Sequence, residues 1–214
     1  MVTTARTPTK QQLDASSLYV DLLEEAKVRI AGIDAAISGR MGLPVLLTRE
    51  FSYLQLRMLC EVIALGCLTA HGEIRASQAA KLQKEYAADK IIGRLEELHS
   101  NFYPHAIRLS ITPGHAHFDR LDSGFLTKAE LIKLYGKCGD QLHRGSLKKL
   151  LATGRRTQPP NFADIAGWTN KIITLLNQHH IASFDNLSHF ICMLKRSESG
   201  DHAAVAIALS PLPE

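Results

Sequence analysis

Four cysteines in 214 residues are too few and too scattered to form a framework. Cys60, Cys67, Cys138 and Cys192 make no CxxC and no zinc-type spacing, and three lie in apolar surroundings. Reduced, buried thiols in a cytosol are expected. The amino-terminal stretch MVTTARTPTKQQLD lacks an apolar signal core. An uncharged apolar run near the ~20 residues that a membrane span needs is also missing. The greasiest stretch, FSYLQLRMLCEVIALGCLTA, is interrupted by Arg57 and Glu61, which leaves only residues 62–70 uncharged. A soluble, cytoplasmic chain without membrane contact is therefore expected. P-loop, GxGxxG, HExxH and GxSxG motifs are all missing, as are internal repeats and low-complexity tracts. No cofactor and no metal is implied.

What is present reads as one ordinary folded unit. Hydrophobic residues make up 45% of the chain and charged residues 21%, a globular balance. A chain of this length buries a core without staples. The net charge of +4 permits an acidic partner without demanding one, and ten histidines add positive charge below pH ~6.5.

Residues 1–13 are polar and aperiodic, and are expected to form a flexible arm. From Ser16 to Ser38 the apolar residues Tyr19, Leu22, Leu23, Ala26, Ile30, Ile33 and Ile37 recur at helical spacing, and Gly39 supplies a stop. Thr48 is the expected cap of a helix from about 49 to 70, apolar nearly all round and so the buried centre of a bundle. A third helical region is expected over 76–99. In residues 105–118, Ile107, Leu109 and Ile111 alternate with Arg108 and Ser110, and TPGH makes a turn, so a short strand or hairpin is expected. Thr127 and Glu130 form a capping box for a helix running to about His143. A last long helix is expected over 162–179, with Trp168, Ile172, Ile173, Leu175 and Leu176 facing the core. The runs SHFICMLKR and AAVAIALS, separated by SESGD, read as a terminal hairpin over about 186–210. The fold class is α+β, predominantly α: one domain over 14–214, with a helical bundle at 14–180, the strand segment and the hairpin.

Several stretches bear on chemistry. The segment from Asp119 resembles a calcium loop, but Leu121 occupies the third ligand position and Glu130 is already used in the capping box. His115 and His117 alternate as strand ligands would. His179 and His180 are adjacent and, on a helix, diverge. A surface role suits these histidines better than a metal site, which needs three or four converging ligands. Arg57 and Glu61 share one helix face within a greasy helix. Either the pair ties that helix to a neighbour, or it lines a polar cleft. Tyr135, Gly139 and His143 fall on one stripe of a later helix with Gly136 beside them. Two glycines in a helix cost ~1 kcal/mol each against alanine, which suggests close approach of a backbone or a ligand there. His143 is otherwise simply a helix end, favoured by the helix dipole. Arg144, Lys148, Lys149, Arg155 and Arg156 follow with no acid between them. They form either a solvated linker or a phosphate-contacting run, and without aromatics in it any such binding tracks backbone charge.

LQLRMLCEVIAL, with Arg57 and Glu61, and LYGKCGDQLHRG, with Tyr135 and His143, together resemble the HEPN-like group of helical bundles over about Ser16 to His180. Many members of that group are metal-independent ribonucleases of toxin or defence systems, often dimeric, with an arginine separated from the histidine by four to six intervening residues. In this chain those places hold Cys138, Lys137 and Gly136. Lys137 keeps a charge but lacks the arginine fork. In a ribonuclease of this kind His143 would move the proton, Arg57 or Lys137 would stabilise the phosphorane, Glu61 would orient Arg57 and Tyr135 would hydrogen-bond the phosphate. The expectation is a degenerate, non-enzymatic HEPN-like module that binds RNA or a protein partner. The alternatives are the ribonuclease and a structural or homodimerising protein. Lys137, Arg144, Lys148, Lys149, Arg155 and Arg156 are the expected nucleic-acid contacts.

Overall fold

The computed structural model describes residues 7–71, 82, 84–112, 115–143, 161–183, 186–195 and 201–210. Helix α1 spans Lys10–Ile37 and begins earlier than its apolar periodicity indicates. Thr9 Oγ1 accepts the Gln12 N–H at 3.2 Å, and Gln12 Oε1 accepts the Thr9 N–H at 2.9 Å. This capping box is built entirely from polar side chains, so hydrophobic spacing does not reveal it. Gln12 is buried and donates its amide to the Ser188 hydroxyl at 2.7 Å. Residues 10–13, expected in a flexible arm, are therefore a docked helical turn.

A short connection folds α2, Val45–Ala70, back along α1. Thr48 is not its cap. Pro44 holds that position, and the Thr48 hydroxyl donates to the Leu43 carbonyl at 3.1 Å. By length and composition α2 is apolar enough to cross a membrane. Here it is the central helix, touching α1 and the later helices and burying Tyr53, Leu56, Leu59, Cys60 and Ile63. Gly66 lets the two helices pack closely: a Cβ there would stand 3.0 Å from the Tyr19 ring, which would have to shift by a few tenths of an ångström. Of the helix expected over 76–99, the described residues are helical at Leu82 and over α3, Ala88–Leu98, while 84–87 are not helical. Glu85 Oε1 accepts the N–H groups of Tyr86 and Ala87, both at 3.1 Å, and so holds the chain extended just before the helix starts.

Strands β1, His105–Thr112, and β2, His115–Arg120, form the expected hairpin. Helix α4, Lys128–Leu142, opens with the Thr127–Glu130 capping box, and Glu130 is also bonded to Lys171 of the next helix. That helix, α5, spans Ala163–Asn177. It runs directly into β3, Gln178–Ala182, whose first two residues the helix expected over 162–179 includes. His179 and His180 consequently lie on opposite faces of a strand. Strands β4, Ser188–Met193, and β5, Ala204–Leu209, complete one antiparallel sheet in the order β2-β1-β3-β4-β5.

The terminal hairpin thus supplies two strands of a five-stranded sheet, with β3 joining it to the β1–β2 hairpin. Phe190 and Cys192 of β4 and His179 and Ile181 of β3 sit in the core beneath α1, α2 and α5. The four free cysteines are all buried. The chain is α+β and predominantly α.

Candidate functional site

One face of α2 carries Arg49, Tyr53, Arg57 and Glu61 at successive intervals of four residues, which stacks them along the helix. Helices α4 and the start of α5 lie against that face, and two polar clusters form there.

The first cluster contains three of the residues expected from sequence. Arg57 Nη2 donates to the Tyr135 hydroxyl at 2.6 Å, and that hydroxyl donates to Glu61 Oε1 at 3.1 Å. Arg57 Nε lies 3.4 Å from Glu61 Oε1, and the guanidinium carbon stands 4.1 Å from the Tyr135 ring centroid. Arginine, tyrosine and glutamate close a loop in which the guanidinium is both paired and stacked. Burial, followed by the nearby Glu61 charge, pushes the Tyr135 phenol above its ordinary pKa. Behind the loop, burial pushes the Cys138 thiol up to about 12 and raises Cys60 strongly, so neither is an accessible thiolate.

No other backbone makes a close approach to the glycines of α4 among the described residues. A Cβ on Gly139 would meet Arg57 Nη1 at 3.8 Å, an ordinary contact, and one on Gly136 would meet nothing within 4 Å. His143 is the C-cap of α4, exposed, with its N–H donating to the Gly139 carbonyl at 3.0 Å. Its imidazole takes no part in the Arg57–Tyr135–Glu61 loop and has no hydrogen-bond or ion-pair partner among the described residues. Gly139 sits beside Arg57, and His143 follows one helical turn, about 6 Å, further along the axis.

The second cluster is more deeply set, and sequence reading missed it. Arg49 is 4% exposed. Its Nη2 donates to Asp164 Oδ2 at 2.6 Å and its Nη1 to the Asn161 carbonyl at 3.0 Å. The buried Tyr53 hydroxyl donates to the same Asp164 oxygen at 2.7 Å. Lys137 joins here, not at His143: its Nζ lies 3.8 Å from Asp164 Oδ2 and 5.7 Å from the Tyr53 ring centroid. Burial pushes the Asp164 carboxyl up. Hydrogen bonds from Tyr53 and Arg49, with the charges of Arg49 and Lys137, outweigh it and hold the group below the usual carboxylate range. The available signal was the repeat of polar residues every four positions from Arg49, with an aspartate in the first turn of a later helix.

Arg144, Lys148, Lys149, Arg155 and Arg156 lie outside the described residues. The histidines expected to diverge on a helix have separate structural roles on β3. His179 Nδ1 is 3.2 Å from the Leu176 carbonyl and Nε2 is 2.7 Å from the Tyr19 hydroxyl. Since a carbonyl only accepts, Nδ1 carries the proton and Tyr19 donates to Nε2. His180 stacks on Phe118 with centroids 5.3 Å apart, and its Nε2 is 3.0 Å from His189 Nδ1. His117 is exposed beside Asp119 on β2. Among the described residues, no three histidine, cysteine or acidic side chains are grouped to hold a metal ion.

The fold and the site define a class: an α+β protein whose helices are locked together by two arginine-centred polar clusters. Compared with family models, curated proteins and solved structures, the chain matches none.

Proposed function

We propose that the chain is a non-catalytic binding module of HEPN-like kind, which engages RNA backbone phosphates beyond the C-terminal end of α4. The observation that supports it is the closed loop at Arg57. The guanidinium that would have to meet a developing phosphorane is spent on Tyr135 and Glu61, and His143, the exposed C-cap of α4, makes no hydrogen bond or ion pair with it. Transition-state stabilisation needs donors aimed at the place where charge develops, and here they are aimed at each other. A binding role needs less. His143 ends α4, and the run Arg144, Lys148, Lys149, Arg155 and Arg156 follows with no intervening acid, as expected of a segment that tracks phosphates.

The test is paired. A single-stranded RNA is incubated with the chain in chelator, and retention is measured across a salt series. Intact RNA, with affinity falling linearly in log[salt], is the expected result. K148Q/K149Q should flatten the slope by roughly 0.7 per lost phosphate contact. Metal-free cleavage abolished by H143A would replace this reading with a ribonuclease. Absence of retention at low salt would remove nucleic acid from the account.

A further inference from the structure

The two edges of the sheet are built differently. On the β2 side the strand HAHFDR carries two histidines, Asp119 and Arg120, the charged edge that discourages strand pairing. On the β5 side the strand AVAIAL has no charge and no proline. The pairing phase of β5 follows from two bonds. Ser210 N–H donates to the Leu187 carbonyl at 2.9 Å, so Ser210, Ala208, Ala206 and Ala204 turn their backbone groups toward β4. Val205, Ile207 and Leu209 turn theirs outward. Ala203 shares that outward phase, and its N–H is taken by Glu24 of α1 at 2.6 Å. The outward groups of Val205, Ile207 and Leu209 have no partner among the described residues.

We propose that β5 is a homodimerisation edge, pairing antiparallel with β5 of a second copy about a two-fold axis through Ile207. The strand complements itself in this register. Val205 faces Leu209 of the second copy, Ile207 faces its own equivalent and Leu209 faces Val205. These are hydrogen-bonded positions, so every outward N–H and carbonyl finds a mate, in roughly six bonds at two per facing pair. The side-chain pattern agrees, because facing residues of an antiparallel pair share a sheet face. The larger residues Val205, Ile207 and Leu209 meet one another on the core side. The exposed alanines Ala206 and Ala208 meet each other on the outer side, in the non-hydrogen-bonded positions where side chains come closest.

A second feature favours a copy of this chain over an unrelated peptide. The flank of α1 that carries Glu24, the residue gripping the start of this edge, also carries Leu13, Val20 and Val28 at helical spacing. Leu13 is 51% exposed and Val28 74% exposed. The two-fold that joins the edges brings this flank toward its equivalent and gives those side chains apolar cover. The same axis turns two five-stranded sheets into one continuous ten-stranded sheet with no bare edge at its centre.

The register specifies its own test. Ala206 faces Ala208 of the second copy, so A206K/A208K sets lysine opposite lysine twice, whereas A206K/A208E sets lysine opposite glutamate twice. Both positions are exposed on the sheet's outer face, and circular dichroism with thermal melting verifies the fold of each variant. By sedimentation equilibrium the native chain should run at twice its 23.6 kDa, A206K/A208K at the single-chain mass and A206K/A208E at the doubled mass. A native chain that remains monomeric at tens of micromolar overturns the proposal, as does a folded A206K/A208K that remains dimeric. Equal loss of the dimer in A206K/A208E overturns the register.

Discussion

Replacing Asp164 with alanine tests whether the Arg49 cluster holds α5 to the central helix. Two strong bonds end on one oxygen, Oδ2, at 2.6 Å from Arg49 and 2.7 Å from Tyr53. Without it the Arg49 guanidinium, 4% exposed, keeps only the Asn161 carbonyl, and its Nε has no partner among the described residues. Removing one member of a fully buried pair costs ~3–5 kcal/mol, because the other charge is left stranded. Asp164 itself is 33% exposed in its side chain, so water reaches the vacated position and the expected loss falls to roughly 2–3 kcal/mol. For a chain of this size that lowers the melting midpoint by about 4–12 °C, measurable by calorimetry and by urea unfolding with an unchanged m value. The pH dependence supplies a second check. The Asp164 pKa is held down in the folded state, so its contribution is complete above the unfolded value of ~3.9 and is lost as pH falls through the folded value. The gap between native chain and D164A should therefore close below pH ~4. A midpoint shift under ~1 °C at neutral pH, or a gap that persists into acid, would refute the reasoning.

Two further outcomes follow from the same contacts. Y135F removes the hydroxyl that bridges Arg57 and Glu61. With both charges partly exposed and still paired four residues apart, a loss of ~1 kcal/mol in urea unfolding is expected, and a loss above ~3 kcal/mol would mean that the loop bears on the core far more than its geometry indicates. Burial lowers the pKa of His179 to about 4 and that of His180 to about 4, in both cases below the unfolded value of ~6.5. In that interval the unfolded chain binds the protons, so stability is full above pH ~6.5 and declines as pH falls toward 4. H179Q should flatten this decline when denaturant midpoints are compared across the interval, and an unchanged slope would count against it.

What could be read directly from the sequence was local. The Thr127–Glu130 box, the apolar stripe from Tyr19 to Ile37 and the β-prone run SHFICMLKR each carry their signal within a few residues, and each element formed where that signal lay. What escaped was set by contacts across the chain. Gln178–Ala182 follows a helix without a break, and its strand character comes from being flanked by β1 and β4. The Arg49–Asp164 bond joins positions 115 apart in sequence, and no window of residues contains both. The start of α1 is decided by Thr9, Gln12 and a bond to Ser188, polar side chains that hydrophobic periodicity cannot register. The Arg57–Glu61 pair was legible by its spacing. Its closure by Tyr135 depended on how α4 docks.

The position of β3 also governs the order of assembly. Its neighbours are β1, more than sixty residues earlier, and β4, just after it. A ribosome delivers the two long amino-terminal helices and the β1–β2 hairpin well before the strand that hairpin must zip against. An isolated hairpin is marginal in water, so these two strands have to wait, and their remote pairing is entropically slow. Lengthening the chain through residue 182 is thus the event that converts a helical nucleus with a dangling ribbon into a closed architecture.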